Sequence, residues 1–129
     1  MTNNSVTQSE QELLAHVLQM LGTGQATTQN LDDYVIGYAV LGRIVAIAQG
    51  EAERAEQERK VAWSRAFADA KSSPEKTSDK LAEVKADLAV EALRMKEINA
   101  RERLTNLRNT WQAVEQAINA IKFLGRNGA

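Results

Sequence analysis

The sequence predicts an all-α fold: a long, coiled-coil-like antiparallel helical hairpin, preceded by a short N-terminal helix and expected to be oligomeric. Three observations predict it. Pro74, the only proline, lies in Lys71-Ser72-Ser73-Pro74-Glu75, between two long alanine-rich stretches. On both sides of it apolar residues recur every three or four positions, the period of one helix face. Hydrophobic residues make up 43% of the chain, but much of that is alanine and aromatics are only 5%. Such a core is thin and seam-like, so burial between subunits would add to its stability.

The first element is a short helix. Thr7-Gln8-Ser9-Glu10 fits a capping box, and Leu13, Leu14, Val17, Leu18 and Leu21 follow at helical spacing. Gly22 is the expected C′ residue, with a polar loop from Thr23 to Gln29. Asn30 is a candidate cap for a second helix from about Leu31 to Ala70, whose positive end Asp32 and Asp33 would favour. Gly37, Gly42 and Gly50 should each weaken that helix by ~1 kcal/mol relative to alanine. Gly50, where an apolar stretch gives way to a charged one, is the expected kink. Beyond it Ala52, Ala55, Ala62, Ala66 and Ala70 form a small-residue stripe flanked by Trp63 and Phe67. Ser73 and Pro74 suit Ncap and N1 of a third helix, starting at Pro74 or Asp79 and running to near Leu124. Leu81, Val84, Leu88, Met95 and Ile98 form one apolar run on it, and Leu104 to Leu124 a second, out of heptad register with the first. The helix is therefore expected to change partner near Asn99–Arg103. The resulting division is 1–30 (short helix and loop), 31–124 (hairpin with its turn at 71–78) and 125–129 (tail).

The 129 residues suit one domain, and the absence of cysteine excludes a disulfide framework and thiolate metal sites. Residues 1–12 are polar without a basic n-region, so a cytoplasmic location is expected. Tyr34 to Ala48 is apolar almost all round, yet shorter than the about 20 residues of a bilayer span, and it contains Arg43. It reads as a core or subunit-contact helix, with no membrane partner. The net charge of −1 hides an asymmetry. Residues 1–58 carry eight acids and two bases; residues 59–129 carry fourteen bases and nine acids. Such a separation can orient neighbouring subunits or create a local anion site.

No catalytic constellation emerges, and neither a cofactor nor a metal site is expected. His16, the single histidine, has no evident partner beyond Glu12 and reads as a surface or packing residue. Gly22-x-Gly24 lacks the strand and third glycine of a dinucleotide fingerprint and reads as a turn. Glu51, Glu53 and Glu56 read as a solvated helix face. The basic constellation says more. Arg94, Lys96, Arg101, Arg103 and Arg108 crowd one arm, and Arg59, Lys60, Arg65 and Lys71 the other. Phosphate backbones are held by such groups, and bases stack on aromatic faces such as Trp63 and Phe67. The same charges can equally solvate the flank of a coiled coil, with the aromatics in its seam.

The run Glu56-Gln57-Glu58-Arg59-Lys60-Val61-Ala62-Trp63-Ser64-Arg65-Ala66, with Trp111 and Ala117-Ile118-Asn119-Ala120-Ile121-Lys122, resembles the T4-type phage recombination mediator family (UvsY-like). The likeness covers most of residues 31–124 and rests on short motifs. The family's basic motif falls on Arg59 and Lys60; its next basic pair falls on Ser64 and Ala66, with Arg65 between them. The resemblance implies a non-enzymatic protein that forms ring-like homo-oligomers, here a hexamer to octamer. It also implies binding to single-stranded DNA, and loading of a RecA-type recombinase on strands covered by a single-strand-binding protein. The expected phosphate contacts are Arg59, Lys60, Arg65, Lys71, Arg101, Arg103 and Arg108, with Trp63 and Phe67 for base stacking. The apolar ends, 31–49 and 104–124, are the expected oligomerisation surface: Tyr34, Tyr38, Leu41, Ile44, Trp111, Val114, Ile118 and Ile121. The rival expectation is a structural assembly protein, such as a phage scaffold or tail-assembly chaperone, that ignores nucleic acid.

Overall fold

The computed structural model describes residues 6–24 and 28–126. Among them the chain is all-helical, without strands: α1 (Gln8–Gly22), a 3-10 turn (Thr28–Asn30), α2 (Leu31–Lys71), α3 (Asp79–Ala89) and α4 (Glu91–Arg126). Residues 25–27 of the expected loop and 127–129 of the expected tail lie outside the described residues; Gly125 and Arg126 belong to α4.

The start of α1 is the expected capping box. The Thr7 hydroxyl accepts from the Glu10 N–H at 3.2 Å, and Glu10 Oε1 accepts from the Thr7 N–H at 3.0 Å. Its end differs from expectation. Gly22 is still helical, Thr23 is the C-cap, and the left-handed residue is Gly24 at φ 68°. α2 runs 41 residues without interruption, through Gly50 as well.

The turn also differs. Ser73 and Pro74 do not open a helix; α3 begins at Asp79 under an Ncap at Ser78, whose hydroxyl accepts from the Leu81 N–H at 3.2 Å. Lys71 fixes the connection by donating to the Thr77 carbonyl at 2.9 Å and pairing with Asp79 at 2.8 Å. The expected single return helix is two, separated at Val90 (φ −105°, ψ 12°). The hydrogen-bond ladder nevertheless crosses that residue, because Val90 N–H donates to Ala86 at 3.2 Å and Val90 O accepts from Arg94 at 2.8 Å.

The chain divides into two compact units, Met1–Ile47 with Leu104–Ala129, and Ala48–Arg103. On α4 the boundary falls between Arg103 and Leu104. In the first unit α1, the start of α2 and the end of α4 enclose a core of Val17, Met20, Tyr34, Leu41, Val114, Ile118 and Ile121. α1 comes so close to α2 that a Cβ on Gly37 would lie 2.6 Å from Val17 Cγ2. Trp111 seats beside Gly42, where a Cβ would lie 3.2 Å from the indole. It donates its ring N–H to the Tyr38 carbonyl at 3.1 Å and stacks on the Tyr38 ring at 5.2 Å.

The second unit is a helical hairpin: the later part of α2, the turn at 72–78, α3 and the start of α4. Its seam is not the expected one. Leu81, Val84, Leu88, Met95 and Ile98 are 42–67% exposed, whereas Ala52, Ala55, Ala82, Ala86, Val90 and Glu97 are buried. On a helix, Leu81 and Leu88 lie roughly opposite Ala82 and Ala86, so only one of these faces can turn inward. The alanine face does, since small residues let helix backbones approach closely.

Candidate nucleic-acid interface

The candidate cations of the second unit lie along α2 and α4, and most of them meet carboxylates. Arg59 pairs with Glu97. Arg101 pairs with Glu56 at 3.1 Å and, one turn along its own helix, with Glu97 at 3.3 Å. Lys96 meets Glu58 at 3.0 Å, Arg103 meets Glu51 at 3.5 Å, and Lys60 meets Glu56 at 3.1 Å. The acidic stretch of α2 thus faces the basic stretch of α4. The charge asymmetry that suggested an orienting field between subunits is largely satisfied within the hairpin.

These pairs differ in depth. The Arg59 and Glu97 side chains are 24% and 12% exposed, while Lys60, Arg101 and Arg103 are each half-exposed. The Arg59 guanidinium, and Arg101 after it, hold the Glu97 carboxyl below the usual carboxylate range. Glu56 is lowered too, chiefly by its hydrogen bond from Lys60. Arg65 is exposed and forms no ion pair among the described residues. Arg108 is exposed in the first unit.

The aromatic pair is held in place. Trp63 and Phe67 stack at 5.3 Å and 13° on the same face of α2, and both are half-buried. The Trp63 ring N–H donates to Asp87 Oδ1 at 2.9 Å, which ties the indole to α3. An open groove of about 950 Å³ runs along α2 on Arg54, Val61, Ala62, Arg65 and Asp69, with Leu93 from α4.

The residues expected to form the oligomer contact are instead interior. Tyr34, Leu41, Ile44, Val114, Ile118 and Ile121 are buried within one chain, and Tyr38 and Trp111 pack against them. α1 packs against them through Val17 and Met20. Burial also raises the Tyr34 phenol above its ordinary value.

Three pairings escaped the sequence reading. Glu97 was not singled out, although it lies at helical spacing from Val90, Leu93 and Leu104 and so occupies an inward position. Arg43 donates to Glu10 of α1, with Nε 2.8 Å from Oε2. The Arg43 hydrogen bond, helped by the Thr7 N–H, lowers Glu10 to about 2. His16, which seemed partnerless, meets Asp33 at 3.2 Å. A 33-residue separation hides the Arg43 contact from any local pattern. Among the described residues no group of three or more histidines and acids is placed to hold a metal ion, and no helix is long and apolar enough to cross a membrane. No protein-family model, curated protein or solved structure matches the chain.

Proposed function

We propose that the protein is a non-enzymatic, single-stranded-DNA-binding recombination mediator of the phage type, which helps load a RecA-type recombinase. The observation that carries this reading is the stacked Trp63–Phe67 pair, fixed by Asp87 and set among Lys60, Arg65 and Lys71 on one helix. Aromatic platforms beside backbone-tracking cations are how sequence-tolerant single-strand binding is built. The ion pairs do not remove these cations from play. Exposed pairs contribute only about 0–1 kcal/mol, and an arginine keeps further donors for a phosphate. The contact set is then Lys60, Arg65, Lys71, Arg101 and Arg103, with Arg59 committed to Glu97 and to the fold.

A labelled oligo-dT titration at several salt concentrations tests this reading. Lys60→Ala with Arg65→Ala should weaken binding and flatten the salt slope by about 1.4, at ~0.7 per neutralised charge on single strands. Trp63 fluorescence should be quenched as bases stack. Absence of binding by the intact chain at low salt would reject the reading. The assembly-protein alternative would then stand, and one observation favours it already: the carboxylates of Glu51, Glu56, Glu58 and Glu97 pair with Arg59, Lys60, Lys96, Arg101 and Arg103.

A further inference from the structure

The Ala48–Arg103 hairpin leaves two apolar features on different faces. One is the stripe Leu81, Val84, Leu88, Met95 and Ile98 on the backs of α3 and α4, with Leu88 67% exposed. Its spacing keeps it on one face over roughly 25 Å at 1.5 Å per residue. The other is the α2 groove from Gly50 to Asp69, with Val61 (49% exposed), Ala62 and Ala66 at its middle. By the same rise it is roughly 28 Å long. Exposed apolar stripes of this regularity mark interaction surfaces.

We propose that the groove of one chain receives the stripe of a second copy of this chain. The lengths match, and a pair of opposite charges falls in register. Setting Leu88 over Val61 with the helices antiparallel brings Lys80 to Asp69, by equal counts of residues along each helix. The same register lays Met95 beside Arg54 and Ile98 over Glu51, next to Gly50. Lys80 and Asp69 are both exposed and do not pair with one another within the chain. Two helix faces meeting over this length can approach the ~800 Å² per partner of a standard interface. Because donor and acceptor surfaces differ, the contact is head-to-tail and propagates into a ring or a filament. This contact lies on the hairpin, away from the buried residues that the sequence suggested, and it does not depend on DNA binding.

The chain has no cysteine, so cysteines can be placed at will. Val61→Cys and Leu88→Cys are made separately and oxidised alone and mixed. The mixture should give V61C–L88C disulfide dimers in excess of either homodimer. Leu88→Glu, at an exposed position that the fold tolerates, should shift the sedimenting species from oligomer to monomer with helicity unchanged. A monomeric intact chain would overturn the proposal. So would preferential Leu88→Cys homodimers, which would mean back-to-back pairing of stripes, or an oligomer insensitive to Leu88→Glu.

Discussion

The two units of this chain solve the same problem, packing long helices, with opposite materials. The unit containing α1 uses large side chains on three helices, and only two of its close approaches require glycine, at Gly37 and Gly42. The Ala48–Arg103 hairpin uses alanines at its seam and places its large apolar residues outside. A Glu97-centred ion cluster replaces apolar bulk at an inward position. The first arrangement derives its stability from buried apolar volume. The second keeps less volume inside and has apolar surface left for a partner, while its cross-arm ion pairs favour one alignment of the arms over others.

The largest effects should come from changing side-chain size, in opposite directions in the two units. Leu41→Ala empties part of a fully buried core site and should lower unfolding free energy by about 2–5 kcal/mol. Ala55→Leu forces bulk into a 2%-exposed seam position and should cost about 1–3 kcal/mol. Urea denaturation reads both. If Ala55→Leu were tolerated, the hairpin arms would not be closely apposed there.

Removing the ion cluster should come next. Glu97→Ala leaves Arg59 largely buried without its carboxylate and should cost about 1–3 kcal/mol. Replacing Glu97 and Arg59 together by leucine should recover most of that loss, since an apolar pair can substitute for a buried ionic one. The pH dependence follows from the direction of the shifts. Glu97 and Glu10 have folded pKa values lowered from 4.5, Glu10 to about 2. Their contributions are therefore fully present above pH 4.5 and are lost as pH falls through the lowered values. Glu97→Ala should consequently unfold with a shallower acid dependence than the intact chain below pH 4.5.

Glycine substitutions should separate the units by sign. Gly37→Ala drives a methyl into Val17 at 2.6 Å, and the resulting overpacking of about 1–3 kcal/mol outweighs the ~1 kcal/mol gain in helix propensity. Gly50→Ala meets only the Arg54 side chain at 3.5 Å and should stabilise by up to about 1 kcal/mol. Thermal melts of the two variants should move in opposite directions.

Local chemistry was legible in the sequence and packing partners were not. The Thr7–Glu10 box and the span of α2 follow from neighbours a few residues apart. Which face of α3 turns inward does not, because Leu81–Leu88 and Ala82–Ala86 both have helical spacing, and the choice depends on how closely α2 approaches. Size alone points to the larger residues as the seam, and the close approach selects the smaller ones. The same ignorance of distance assigned Tyr34 and Ile118 to a subunit contact, since helical spacing does not say how completely α1 covers them. The cations were legible as a cluster. That Glu97 would hold two of them was not, for an inward glutamate becomes intelligible only once the opposite arm is placed.

The smallest effect tests the turn between the arms. Serine precedes two candidate helix starts, at Ser73 before Pro74 and at Ser78 before Asp79, and sequence preference alone favours the first. The Ser78 hydroxyl accepts from the Leu81 N–H at 3.2 Å in extended backbone (φ −66°, ψ 157°), so it caps α3. Ser73 Oγ meets only the Glu75 N–H at 3.4 Å, outside any helix. Ser78→Ala should therefore cost roughly 0.5–2 kcal/mol, and Ser73→Ala a few tenths at most. Hydrogen exchange sharpens the distinction, because loss of the cap should accelerate exchange at Leu81 and its helical neighbours without touching α1. Equal effects from the two substitutions would mean that the hairpin turn has no preferred start for its return helix. The alignment of the arms would then rest on the ion pairs alone.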